Sequence, residues 1–371
     1  MLGKSYEYPI IIGIFTATGS NKKFAIMTLV SVVNSHGNIV VVSDRAISDN
    51  YESNKILLPS TNDYTNQPTT IVGYNVKTIL VKEILCIGFS GIVYEIELLI
   101  SDIEDYFLHR PVNKDTLMEV FSELKDRYSC SAIYVLGAQG NNKDQILVLR
   151  SGYWIIDQSR IDLEIISSGS GAADWTSEVL ENFIIVEGEL FDSKFSRQFV
   201  LQSCIKFLGN ERITQEILSN GWGGGFDIIY YDDDKFKRLD NVAYAFFGVD
   251  ISNINTLTPL SIIHQGYSLG NAIIKHYEKR GFQTYVIPEL GNKTVFDDNV
   301  CSESIAYEVI SCIHLFKEKE HISDIAVLFW DNDPSNVEPT LFTTREGGIF
   351  GIKFRDIYFE KLKEAIENYL S

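Results

Sequence analysis

Two apolar runs, Ile26–Asn34 and Asn38–Asp44, flank the link Ser35-His36-Gly37, and valine or isoleucine stands at odd and even positions in both. Alternate residues of a strand point to opposite faces, so neither face of this pair suits water. Such strands belong to a sheet covered on each side, and a short Gly-containing link reads as a hairpin. The rest of the chain has to supply the two covers.

Further strand signals stand at Pro9–Thr16, Thr69–Tyr74 and Ile84–Phe89. After Ser90-Gly91 the apolar period becomes helical. Ile92–Phe107 stripes Ile96, Leu99, Ile100 and Ile103, and Asn113–Tyr128 stripes Leu117, Val120, Phe121 and Leu124. Strand patterns return at Ser131–Gly137, Gln145–Arg150, Tyr153–Asp157 and Glu164–Ser167. Two more helices follow at Ala172–Ile184 and Lys194–Leu208, then strands at Phe226–Tyr231 and Asn241–Phe246 around the acidic turn Asp232-Asp233-Asp234. Strands, a helix pair, strands, a helix pair, strands: this order predicts an α+β, four-layer αββα sandwich over residues 26–247, behind an N-terminal extension at 1–25. Residues 248–371 break the plan. There the spacing predicts helices at Leu269–Arg280, Ser302–Lys319 and Arg355–Leu370 and buried strands at Thr284–Pro288 and Asp324–Trp330, a C-terminal α/β appendage.

Composition narrows the function classes. The chain is 45% apolar, which excludes disorder, and its formal net charge of −18 disfavours nucleic acid and anionic lipid as partners. No apolar stretch approaches the roughly 20 residues of a bilayer span. The opening residues lack the basic flank and long apolar stretch of a secretory signal, so the expected location is the cytoplasm. The five cysteines (Cys86, Cys130, Cys204, Cys301, Cys312) never form a CxxC pair, and the six histidines form no HxH or HExxH. Reduced core thiols, with no metal and no cofactor, are the expectation.

The stretch from Ile26 to Ser48, with its threonine, His-Gly turn and apolar strand ending in Asp44-Arg45-Ala46, resembles the opening of a proteasome β subunit or of HslV. The resemblance continues in order through Lys55-Ile-Leu57, Ile84-Leu-Cys-Ile-Gly-Phe-Ser-Gly91, Gly169-Ser-Gly171 and Gly223-Gly-Gly225. It spans about residues 26–246 and leaves the last third of the chain uncovered.

The resemblance implies an N-terminal nucleophile (Ntn) fold and a threonine-type peptidase or amidohydrolase. Thr28, sixteen residues before Asp44, is the implied nucleophile. Matching strand to strand instead would put Met27 first and Thr28 second, and a β-branched residue also suits an ordinary strand. Asp44 would fix a lysine, for which Lys55 is the expected partner, and Ser170 would bond near the nucleophile's amine or cap the following helix. Activity requires Thr28 to become residue one, by cleavage after Met27 or by initiation at Met27. Asn220 and Gly223 stand where the family places an aspartate and a serine, so an eroded active site is expected. The implied partners are a peptide or protein substrate and other copies of the chain or related subunits in an oligomer. The alternative is a non-catalytic subunit that serves assembly, scaffolding or partner binding.

Overall fold

The computed structural model describes residues 26–27, 29–35, 38–49, 55–128, 130–137, 147–150, 153–154, 163–184, 193–278, 281–291, 308–327, 340–343, 350–353 and 356–371. The expected strand at Pro9–Thr16 lies outside them, and so does Thr28.

Content is mixed α/β and the sheets are mostly antiparallel. An eight-stranded sheet runs in the order Tyr153–Trp154, Leu147–Arg150, Ser131–Leu136, Leu85–Ile92, Ile26–Met27, Ala46–Ser48, Ile71–Tyr74, with Thr78–Val81 also paired to Leu85–Ile92. A five-stranded sheet runs Leu163–Ser168, Val30–Ser35, Asn38–Asp44, Phe226–Asp232, Lys235–Arg238. The expected hairpin is present, with Val30 opposite Ser43 and Ser35 opposite Asn38.

Both faces of that hairpin are covered, as its composition demands. Val30, Val32 and Val41 pack with Cys86, Ile133 and Val135 of the eight-stranded sheet. Val33, Val40 and Val42 point the other way, into a core shared with helices α3 (Ala172–Ile184) and α4 (Ser193–Ile213) through Trp175, Leu201 and Ile205. Helices α1 (Val93–Leu108) and α2 (Lys114–Leu124) bury Ile96, Ile100, Leu117 and Val120 against Leu85, Ile87 and Phe89 of the eight-stranded sheet.

The C-terminal region differs from its expected pattern. Leu269–Arg280 and Ser302–Lys319, read as helices, contribute strands Asn271–Glu278 and Glu308–Lys317. They belong to a six-stranded sheet ordered Gly281–Ile287, Asn271–Glu278, Asn253–Ser268, Val242–Asp250, Glu308–Lys317, Glu320–Val327. Two-residue hairpin turns account for the misreading. Leu269 and Gly270 have φ of 51° and 82°, and Glu318 and Lys319 have φ of 51° and 76°. A type I′ turn needs positive φ at both central residues and normally advertises it with Asn or Gly; Glu-Lys hides it inside an apparently helical charge run.

Val242–Asp250, expected as the last strand of the first unit, lies inside this third sheet and pairs in parallel with Glu308–Lys317. Its Val242, Tyr244 and Phe246 join the same core as α4, so α4 is packed between two sheets. The terminal helix, Asp356–Leu370, covers the sheet's other face through Tyr358, Leu362 and Ile366.

Candidate functional site

Strand Asn38–Asp44 ends where the chain leaves the five-stranded sheet for Ala46–Ser48 of the eight-stranded one, and both residues at that crossing are buried, Asp44 at 0% and Arg45 at 1% exposure. A carboxylate so placed requires partners to offset desolvation. Asp44 Oδ1 accepts from the Leu29 backbone N–H at 2.9 Å and from the Lys77 ammonium, and Oδ2 accepts from the Gly223 N–H at 2.9 Å. Lys77 is also fully buried; burial lowers its pKa, while Asp44 opposes that shift.

The Gly223–Gly225 loop reaches Asp44 because it carries no side chains. All three residues have positive φ, 119°, 75° and 95°, where L side chains are strained. Space is also closed: a Cβ on Gly223 would stand 2.5 Å from Glu211 Oε1, and one on Gly225 would stand 2.8 Å from Arg45 Nη1. Gly223 O in turn accepts the Arg45 and Ala46 N–H groups at 3.1 and 2.9 Å.

Glu211, on α4, is a second buried carboxylate at this loop. It accepts from the Gly224 N–H at 2.7 Å and from Ser60 Oγ at 2.5 Å. Burial raises its pKa to about 7, with bonds from Ser60 and the glycine amides working against the rise. A group poised there exchanges protons at neutral pH.

Arg45 points away from Asp44. Its Nε and Nη2 donate to Asp227 Oδ1 at 2.9 and 2.7 Å, and Tyr267 OH donates to the same oxygen at 2.6 Å. Burial works against the Arg45 charge, but Asp227 and Tyr267 outweigh it and the guanidinium stays protonated. Tyr267 comes from the third sheet, so this pair ties that sheet to the crossing.

Of the four residues singled out in the sequence, Asp44 stands at the centre of the cluster. The expected pairing of Lys55 with Asp44 does not occur: Lys55 is exposed, and the ammonium on Asp44 is that of Lys77. Residues 55–74 lie between Asp44 and Lys77 and include the short hairpin Leu57–Leu58 with Asp63–Tyr64, and the nearer lysine stands at the foot of that excursion. Ser170 is exposed and donates to Asn220 O at 3.4 Å, which brings the Gly169–Gly171 turn against the loop leading to Gly223. Thr28 is outside the described residues; Leu29, next to it in sequence, is the one that donates to Asp44. Sequence reading missed Lys77 and Glu211. Lys77 carried a signal, because it opens the strand that hairpins into Leu85–Ile92, a segment recognised from its own motif. Glu211 carried none.

No protein-family profile and no curated protein matches this chain. Solved structures do. One of them is the crystal structure of eukaryotic HslV from Trypanosoma brucei, at 13% identity and a TM-score of 0.33, covering 55% of this chain and 98% of that one. Among the described residues, no helix is long and apolar enough to cross a membrane.

Proposed function

We propose that this chain is a proteasome-like Ntn amidohydrolase acting on peptide bonds, with Thr28 as nucleophile once it is freed from Met27. In this reading the four-layer αββα domain begins at residue 26, with α1 and α2 outside one sheet and α3 and α4 outside the other, and the boundary expected after residue 247 moves to the start of strand Val242–Asp250, which belongs to the appended sheet. The observation that carries the proposal is the Asp44 carboxylate, which couples the buried Lys77 ammonium to the amide of Leu29, the neighbour of Thr28. A fixed positive charge beside a hydroxyl favours its alkoxide, and a free α-amine, with an ordinary pKa of about 7.7–8.0, can take the proton. The hydroxyl attacks the amide carbonyl, the amine leaves with the transferred proton, and water then hydrolyses the ester. Lys77 thus takes the role first given to Lys55. Ser170 is exposed on the Gly169–Gly171 turn, and Glu211 adds a buried carboxyl at the Gly223–Gly225 loop, where Asn220 brings no charge.

A second reading, a non-catalytic subunit acting through assembly, has its own support. Ile26–Met27 is hydrogen-bonded to Ala46–Ser48 on one side and to Leu85–Ile92 on the other, an arrangement that an uncut chain retains. Asn220 and Gly223 lack the charge and the hydroxyl of an intact site. Incubation with an electrophilic threonine-protease inhibitor separates the two. Covalent labelling that disappears in Thr28→Ala supports the hydrolase; absence of labelling in the wild-type protein supports the subunit.

A further inference from the structure

On the far side of α4 from the glycine loop, the third sheet gathers three different metal-binding side chains. Cys312 and His314 are two residues apart on Glu308–Lys317 and so share a face, and His314 is opposite Asp324 on Glu320–Val327. One ligand atom from each of the three lies within 4.8 Å of the others. His314 Nδ1 is 2.6 Å from Asp324 Oδ1, and His321 Nε2 reaches the same oxygen at 2.7 Å. His314 is fully buried, and its Nε2 has no hydrogen-bond partner among the described residues. An orphaned buried ring nitrogen costs free energy unless something binds it.

The helix that closes over this face does so with a glycine. A Cβ on Gly209 would stand 3.1 Å from Cys312 Sγ, 3.3 Å from Asp324 Oδ2 and 3.4 Å from His314 Cε1. Any larger residue would crowd the point on which sulfur, carboxylate and imidazole converge. A plain buried His–Asp pair explains the Nδ1 contact; it explains neither the orphaned Nε2 nor the thiol beside it.

We propose that Cys312, His314 and Asp324 bind one divalent cation of the zinc class, with His321 holding the Asp324 carboxylate in place. Thiolate, imidazole and carboxylate are a borderline-soft donor set that suits zinc, and three protein ligands plus water complete a tetrahedron. Tetrahedral bonds of about 2.0–2.3 Å set donor atoms roughly 3.3–3.8 Å apart, so binding exchanges the 2.6 Å His314–Asp324 contact for bonds to the ion. Thiolate and carboxylate together cancel the charge of the ion, which makes burial tolerable. A cysteine ligates as thiolate, so binding breaks the Cys312 S–H bond, forms the metal–sulfur bond and releases the proton to solvent. Affinity therefore falls as pH falls. Asp324 and His321, at 17% and 23% side-chain exposure, give the ion a way in. The His321–Asp324 bond is an outer-shell support of the kind whose loss weakens metal binding.

Titration of the full-length, chelator-treated protein with Co²⁺ tests this. One equivalent should bind with a thiolate-to-cobalt charge-transfer band in the near ultraviolet, and Zn²⁺ should displace it. Cys312→Ser, checked for folding by circular dichroism, should lose the band, and His321→Ala should weaken Co²⁺ binding about 10–100-fold. Absence of any band in the wild-type protein, or a band that survives in Cys312→Ser and so arises from another cysteine, would overturn the proposal. Should Cys312→Ser fail to fold, mapping by peptide mass which cysteine bound Zn²⁺ shields from alkylation decides in its place: shielding of Cys312 is expected, and shielding of a different cysteine alone would overturn the proposal.

Discussion

Lys77 and Asp44 form an ion pair with no solvent exposure on either side chain. Removing one partner of such a pair leaves an uncompensated buried charge, at a cost of about 3–5 kcal/mol. Lys77→Met is therefore expected to lower unfolding free energy in urea by that amount. Lys55→Ala, at an exposed position, should stay within about 0.5 kcal/mol of the parent. Equal losses from the two substitutions would contradict the assignment of Lys77 as the partner of Asp44.

Glu211 gives the stability a particular pH dependence. Its folded pKa of about 7 lies above the ordinary carboxylate value of 4.5, so the folded state binds the proton more tightly than the unfolded chain. Its contribution favours folding below about pH 4.5 and is lost as pH rises to about 7, a change on the order of 3 kcal/mol. Glu211→Gln keeps an acceptor for Gly224 and a partner for Ser60, and should flatten this part of the profile. Glu289, also raised to about 7 by burial, leaves a parallel decline in the variant. Identical denaturation profiles for variant and parent between pH 4.5 and 7 would argue against the shift.

Gly223→Ser should harm the protein. The residue sits at φ 119°, and its first side-chain atom would meet Glu211 Oε1. Strain of this kind costs about 1–3 kcal/mol, measurable as a lower denaturation midpoint. A neutral or stabilising effect would mean that the loop shifts to admit a side chain at this position.

The outer helices carry apolar groups that the fold does not bury: Tyr94 and Leu98 on α1 are 43% and 41% exposed, and Leu180 on α3 is 46% exposed. An oligomer that covers them is expected, and Leu98→Glu with Leu180→Glu should dissociate it. Light scattering that finds only the monomer at micromolar concentration for the parent, 42.0 kDa if the chain is uncut and correspondingly less if it begins at Thr28, would remove this expectation.

The sequence disclosed those parts of the fold whose period is repeated. Alternation without a polar face in Ile26–Asp44 announced a doubly covered sheet, and the stripes of α1 to α4 named the covers. It disclosed less where a turn lacked its usual residues, as at Glu318-Lys319, because strand and helix then run together in the pattern. Asp44 was legible, since a carboxylate that closes an apolar strand needs a reason. Lys77 was obscured by Lys55, which is nearer to Asp44 in sequence and precedes an apolar run. Glu211 and the Cys312–His314–Asp324 group are products of tertiary approach, through glycines at 223 and 209, and no spacing along the chain encodes them.

The claim that Asp44 and Lys77 serve a nucleophile at Thr28 is tested most directly by the intact mass of the purified protein together with its N-terminal sequence. The expected chain begins Thr-Leu-Val-Ser and lacks residues 1–27; where cleavage after Met27 is the route, Thr28→Ala retains them. A wild-type protein that keeps Met27 joined to Thr28 would contradict it, because the α-amine base would then not exist.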